Sequence, residues 1–288
     1  MPFIERFSMW GRLVAFSHSV FALPFALMMI VLVAGERSVT LMQIALLVVC
    51  VVSARTTAMA FNRYVDAEID ARNPRTMNRE IPAGVVSKGS ALLLILASAA
   101  VFIAGAAGLG WHCVALTPLV LLVLLGYSLV KRFSSWCHVV LGVALALAPG
   151  GVWYALTGEW SWKPVPLMLT VTLWVAGFDI LYSCQDAEFD RTQKLFSVPS
   201  VLGVGRAKLL AFGLHIAAVG FLVLNGYLFS VGAAYWIGAL VFAGLLISQH
   251  RAVMVHGIGC IDRVFFTRNG AASVLLFVFV LLDAATRG

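Results

Sequence analysis

Asn62, Asp66 and Asp70 follow one another at intervals of four residues, and Asp179, Tyr182, Asp186 and Asp190 at intervals of three, four and four. On a helix that turns about 100° per residue, each set drifts by only about 80° around the axis, so each run forms one polar stripe. Five carboxylates gathered in this way repel one another unless cations lie between them. Hard oxygen donors of this type suit Mg²⁺, which typically keeps several waters and joins one or two carboxylates to the phosphates of a substrate. Arg72, Arg79, Lys131, Arg132 and Arg191 lie close to the two runs in sequence. Arginine takes phosphate charge through paired hydrogen bonds and lysine as a point charge. The chemistry indicated is the binding of a diphosphate through metal. Glu68 and Glu188 fall off the stripes and read as solvated charges.

The elements that carry these residues are set by composition. Of 288 residues 61% are hydrophobic and 11% charged, against about 25% charged in soluble domains, which excludes a water-soluble fold. With roughly 20 apolar residues needed for each crossing, the pattern predicts an all-α polytopic membrane protein. Nine transmembrane helices surround a central cavity, near 17–36, 40–61, 90–110, 112–130, 136–156, 164–184, 207–226, 229–248 and 268–286. Gly108 and Gly110 mark one hairpin turn, and Asn225 and Gly226 another. No long polar interval separates the spans, so residues 1–288 read as a single membrane domain. The first span lacks a convincing cleavage site and is expected to be retained. The five cysteines have neither disulfide nor zinc spacing.

Under this topology, sixteen of the twenty Lys and Arg residues fall on the side of the N-terminus, three (Arg37, Lys163, Arg287) on the other, and Arg55 within a span. Cytoplasmic loops hold such an excess, so both acidic runs emerge on the cytoplasmic side and can face each other across the cavity. The net charge of +7 then reflects topology and contact with anionic lipid rather than nucleic acid. Ionisable groups at a bilayer boundary usually face the protein interior or water. A bland reading, in which Asp and Arg neutralise each other at the headgroups, accounts for one such run less strained than for two. A secondary transporter is the rival of another class, but its acids would be expected near the bilayer centre rather than at one face. The two runs lie about 120 residues apart, each followed by a basic loop with a proline and a hydrophobic hairpin, a pattern like a diverged duplication.

These motifs resemble those of the UbiA superfamily of intramembrane aromatic prenyltransferases. The first family motif, NDxxDxxxD, is matched by Asn62, Asp66 and Asp70, and the second, DxxYxxxDxxxD, by Asp179, Tyr182, Asp186 and Asp190. Asn73-Pro74-Arg75-Thr76, Pro82-Ala83-Gly84, Tyr127-Ser-Leu-Val-Lys131-Arg132 and Phe266-Thr-Arg-Asn269 extend the likeness over nearly the whole chain. Arg63 replaces the usual second acid of the first motif, which bears on the metal ligand set. Glu80 stands where proline is common in the quinone-pathway members, which bears on the acceptor. The opening Phe16-Ser-His18-Ser-Val-Phe-Ala-Leu-Pro24-Phe is similar to a bacterial 4-hydroxybenzoate polyprenyltransferase-like branch.

The resemblance implies Mg²⁺-dependent transfer of a polyprenyl group from polyprenyl diphosphate to an aromatic acid such as 4-hydroxybenzoate. Prenylation of 1,4-dihydroxy-6-naphthoate is the alternative within quinone synthesis, and haem farnesyltransferase or chlorophyll-type synthase activity lies further off. The expected setting is the bacterial inner membrane, with the site toward the cytoplasm and no obligatory protein partner. The resemblance also implies that Asn62, Asp66, Asp70, Asp186 and Asp190 hold the metal-diphosphate while Asp179 and Tyr182 shape the same wall. Arg72, Lys131 and Arg132 would meet phosphate. Arg55, about two turns deeper than Asn62, would meet the acceptor or an acidic stripe, and His18 would contact substrate. His112, His138, His215, His250 and His256 show no ligand spacing. Most of the eight Trp residues are expected in interfacial belts.

The charge asymmetry predicts that a periplasmic-only reporter fused after Trp162 is active and one fused after Lys194 is silent. The opposite pattern of reporter activity would invert the topology.

Overall fold

Backbone N–H and C=O groups have no water to bond with in hydrocarbon, and helices satisfy them within one segment. The computed structural model describes Gly11, Leu13 and residues 21–287, with backbone alone for 263–266. Its regular elements among these residues are all helical. They are α1 Leu23–Ala34, α2 Leu41–Val65, α3 Ala67–Arg72, α4 Lys88–Leu109, α5 Trp111–Val130, α6 Cys137–Thr157, α7 Val165–Ser183, α8 Ala187–Thr192, α9 Val198–Leu202, α10 Val204–Leu228, α11 Ala233–His256 and α12 Ile261–Arg287, with short 3-10 turns at Cys184–Asp186 and Ile258–Cys260. Among the described residues eight helices are long and apolar enough to cross a membrane, and the shorter apolar α1 accompanies them. Eight such helices and α1 stand close to the nine expected spans.

The described residues divide into two packing units, Gly11 and Leu13 with 45–129, and residues 21–44 with 130–287. In the first unit, α2 meets α4 where Thr57 donates to Ser98 Oγ at 2.8 Å, beside a small core of Cys50, Phe102 and Ala106. A second small core joins Leu13, Ala67, Ile81, Val86 and Ala91, beneath the chain that leaves α3.

In the second unit, α7 packs against α6 and α10, α11 against α12, and α1 against α6 and α12. The fully buried Trp174 sits at the middle of an aromatic group. Its ring centroid lies 5.2 Å from Phe25, 5.0 Å from Phe178 and 5.9 Å from Phe242, and its Nε1–H donates to Asn269 Oδ1 at 3.1 Å. Buried indole nitrogens need such a partner. Trp111, Trp136, Trp160 and Trp162 are exposed, as interfacial residues would be, whereas Trp153 and Trp174 are buried. The three basic residues assigned to the far side of the spans all meet carboxylates locally: Arg37 with Glu159 at 3.0 Å, Lys163 with Glu36, and Arg287 with Asp283 at 2.9 Å.

The structure moves several expected boundaries. Asn225 and Gly226 are not a turn but the last full turn of α10. The Asn225 amide donates to Tyr235 Oη at 3.1 Å, and the missing side chain of Gly226 leaves room for the rings of Tyr235 and Trp236. A tertiary contact thus occupies residues whose local preference is a turn. The chain reverses after Phe229, with Ser230 at φ +48°. The last helix begins at Ile261, seven residues before the expected 268. The expected 17–36 span is described only from residue 21 onward, and its N-terminal part lies outside the described residues.

Gly142 of α6 is packed so closely on α7 that a Cβ would overlap the Thr172 carbonyl, whereas a Cβ on Gly151 would meet nothing within 4 Å. Gly142→Ala should lower folding stability by about 1–3 kcal/mol. Gly151→Ala should be neutral or stabilising, since Gly in a helix interior carries an entropic penalty. Thermal unfolding of the two variants in detergent checks this. Equal stability for both would contradict the close α6–α7 packing.

Candidate functional site

Both acidic runs break their helix at the middle aspartate. In the first unit α2 stops at Val65, Asp66 has φ −92° and ψ 3°, and the six-residue α3 follows. In the second unit α7 stops at Ser183, a 3-10 turn ends at Asp186 with φ −100° and ψ 5°, and the six-residue α8 follows. The straight stripes expected from an unbroken helix are therefore corrected. The bridge-region backbone at Asp66 and Asp186 resets the direction of each chain, so the last acid of each run is carried on a separate short helix. The local sequences agree, Asp66-Ala-Glu-Ile-Asp70 and Asp186-Ala-Glu-Phe-Asp190, which strengthens the pattern of duplication.

In the first unit, Asn62 Nδ2 donates to Asp66 Oδ2 at 2.9 Å. Asp70 is buried, and Arg79 Nη1 donates to both its oxygens at 2.7 and 2.8 Å. The run after α3 makes this possible. Asn73 ends the helix in an extended conformation, as a residue before proline prefers, and its side chain accepts from the Arg75 N–H at 2.9 Å. Thr76 Oγ1 donates to the Asp70 carbonyl at 3.1 Å. Gly84 then turns the chain at φ +72°. Arg72 is exposed. Arg55 lies inside α2 within electrostatic reach of Tyr127.

In the second unit, Asp190 is fully buried and Lys131 Nζ lies 2.7 Å from its Oδ1. That contact has the separation of an ion pair without the direction of a hydrogen bond, and neither carboxylate oxygen of Asp190 accepts one among the described residues. Asp186 is buried on the 3-10 turn. Asp179 is 26% exposed and its Oδ2 lies 2.7 Å from His138 Nδ1. Tyr182 packs on the core formed by Ile180, Leu181 and Ala207. Gln185, between the motif acids, donates to Asp262 Oδ1 at 3.3 Å. The chain beyond α8 is tied to the α5–α6 turn: the Phe196 N–H donates to the Lys131 carbonyl at 2.8 Å, and the Val198 N–H to His138 Nε2 at 3.1 Å. Arg132 is exposed on that turn.

Glu68 and Glu188 are exposed and pair with Lys88 and Arg191. Arg191, expected beside phosphate, and Arg79, likewise, thus have carboxylate partners in the structure. His18 lies outside the described residues. Sequence reasoning passed over His138, because its partner Asp179 is 41 residues away and no local spacing signals the pair. It also passed over the His215–His250 contact at 2.8 Å between α10 and α11.

Among the described residues no three His, Cys, Asp or Glu side chains form a metal-holding group. Mg²⁺ does not require one, since one or two carboxylates with substrate phosphates and water complete its shell. The donors present suit that mode. They are anionic oxygens on two motifs of like sequence, and the buried Asp190 carboxylate is matched to a cation while its oxygens accept no hydrogen bond among the described residues.

Among the described residues, eight apolar spans and an aspartate-centred helix break in each of two units define a multi-pass membrane protein with acidic helix ends. The chain belongs to the UbiA prenyltransferase family, whose model matches residues 22–269. It is 28% identical over 270 residues to 4-hydroxybenzoate octaprenyltransferase of Pseudomonas fluorescens (strain Pf0-1), covering 88% of this chain and 86% of that one. The apo structure of a UbiA homolog from Aeropyrum pernix K1 aligns with a TM-score of 0.85 at 30% identity over 92% of this chain and 98% of its own. A UbiA homolog from Archaeoglobus fulgidus bound to GPP and Mg²⁺ shares the fold with a TM-score of 0.67 at 18% identity, covering 96% of this chain and 99% of that one.

Removing Arg79 leaves the Asp70 carboxylate buried without its counter-charge. Breaking a fully buried pair costs about 3–5 kcal/mol. With Arg79 26% exposed, Arg79→Gln should cost about 2 kcal/mol. Thermal unfolding, with hydrogen exchange over residues 70–80, measures it; unchanged stability and exchange would show that the pair contributes nothing.

Proposed function

We propose that the chain transfers a polyprenyl group from polyprenyl diphosphate to an aromatic acid, with 4-hydroxybenzoate as the first acceptor to consider. The site would work at the cytoplasmic face of a bacterial inner membrane. The observation that carries this reading is the repeated helix break at Asp66 and Asp186, which gives each motif a carboxylate at the break and another one turn later. Family membership and the relative named 4-hydroxybenzoate octaprenyltransferase support the acceptor class. The placement of sixteen basic residues on one side supports the orientation.

When bound, Mg²⁺ would neutralise the diphosphate and stabilise it as a leaving group. Asn62, Asp66, Asp70, Asp186 and Asp190 are the residues we assign to holding it. In the first motif the Asn62 amide orients Asp66, and Arg79 fixes Asp70 through both its oxygens. In the second, Lys131 balances Asp190 and is placed to exchange that partner for a phosphate oxygen, with Arg72 and Arg132 supplying further positive charge. As the allylic C–O bond breaks, positive charge develops on the prenyl carbon. Asp179 and Tyr182 would face that charge as fixed electrostatic partners. The electron-rich ring carbon of the acceptor then forms the new C–C bond, and its ring proton passes to the released diphosphate or to water, restoring aromaticity. Arg55, a cation within a span, would meet the acceptor carboxylate or an acidic stripe, and His18 is assigned to substrate contact from its place early in the first span.

Purified protein in detergent, given a polyprenyl diphosphate, Mg²⁺ and either 4-hydroxybenzoate or 1,4-dihydroxy-6-naphthoate, tests the reading. Metal-dependent product with one acceptor is expected. Asp66→Ala and Asp186→Ala should each lower the rate by about 100-fold or more, the scale on which lost charge stabilisation acts. Folded protein that makes no product with either acceptor would overturn the assignment and favour another acceptor class or transport.

A further inference from the structure

His138 stands at the start of α6, buried to within 3% of full enclosure, and each of its ring nitrogens has a partner. The Val198 N–H can only donate, so Nε2 must hold its lone pair toward it. The single proton of the neutral ring is then on Nδ1, from which it is donated to Asp179 Oδ2 at 2.7 Å. With Nε2 occupied by a backbone amide, the ring has no second outlet and cannot pass a proton through. It is a fixed donor.

Its surroundings fix it further. The segment after α8 is held to the α5–α6 turn at the Lys131 carbonyl, at Cys137, whose Sγ lies 3.5 Å from the Phe196 carbonyl, and at His138. Ser197 and Ser200 close the N-terminus of α9 with reciprocal side-chain bonds, which sets the direction of the Val198 N–H. The same α5–α6 turn supplies the Lys131 contact to Asp190. The first and last acids of the second motif are thereby referred to one short stretch of chain, residues 131–138.

We propose that His138 is a positioning residue of this site. As the neutral Nδ1–H form, locked by Val198, it holds the Asp179 carboxylate in one orientation toward the reacting prenyl carbon. This rests on the reading of the site as a prenyl-transfer centre. A group that acts on charge developing only in the transition state changes kcat more than ground-state binding.

The full-length protein tests this through three substitutions. His138→Phe keeps the ring volume and removes both bonds. His138→Asn places an amide donor near the Nδ1 position, and His138→Gln places an acceptor near Nε2. We expect His138→Phe and His138→Gln to lower kcat by about 10–100-fold, the range found when a supporting hydrogen bond to a site residue is lost. His138→Asn should recover most of the rate. Affinity for an unreactive allylic diphosphate analogue with Mg²⁺, measured by calorimetry, should stay within about twofold in all three. His138→Phe combined with Asp179→Asn should be no slower than Asp179→Asn alone, since residues that act through one contact are not additive.

Hydrogen exchange at Val198 supplies an arm independent of turnover: slow in the wild type and His138→Gln, fast in His138→Phe and His138→Asn. A His138→Phe enzyme within twofold of wild type, a multiplicative double variant, or an equal fall in analogue affinity and kcat would overturn the proposal. Wild-type protein without transfer activity would overturn the functional reading. Fast Val198 exchange in the wild type would overturn the ring geometry alone.

Discussion

A carboxylate taken out of water is retained only where charge or directed hydrogen bonds replace its hydration. Asp70 meets Arg79, Asp190 meets Lys131, Asp179 meets His138, and Asp66 meets Asn62. Each pairing also dictates a piece of backbone. Arg79 reaches Asp70 because the chain after α3 turns at Asn73 and Thr76. His138 reaches Asp179 because α6 lies along α7 with no side chain at Gly142 to hold them apart. The loops and close helix contacts of both units are organised to a large extent by where acids require partners.

The helix breaks at Asp66 and Asp186 show a second consequence of the same constraint. A continuous helix would keep successive acids on a stripe and spread them over two turns along its axis. Ending α2 and α7 and restarting with a six-residue helix lets the last acid of each run turn away from the line of the span. Asp70 and Asp190, both buried on those short helices, are then close to loop cations that a straight helix would not bring near. The two units arrive at this arrangement with nearly the same five-residue sequence, so one local solution has been used twice.

The pairings differ in what they leave for chemistry. Arg79 takes both oxygens of Asp70, so that acid is strongly oriented. Lys131 makes an ion pair with the buried Asp190, whose oxygens accept no hydrogen bond among the described residues. His138 meets one oxygen of the part-exposed Asp179. Across the two motifs the acids thus differ in how firmly they are held, and that difference depends on their partners rather than on aspartate itself.

Much of this was legible in the sequence because its causes are local. Apolar runs of membrane-spanning length, the bias of Lys and Arg to one side, the Gly108–Gly110 hairpin and the spacing of the acids all depend on residues near one another in the chain. They identified an all-helical membrane protein with two acidic helix ends. The Asn225–Gly226 reading failed for a corresponding reason: a turn preference is local, and the Tyr235 contact that overrode it is not. His138 with Asp179, Val198 with His138 and Lys131 with Asp190 join residues 41–60 positions apart. No periodicity encodes such pairs, because they exist only once helices have packed and loops have closed. The sequence by itself determined an all-helical, multi-pass membrane protein with two acidic helix ends. Which cation or donor meets each carboxylate was decided only by tertiary packing, since the cost of burying a charge is settled by whatever the rest of the fold brings beside it.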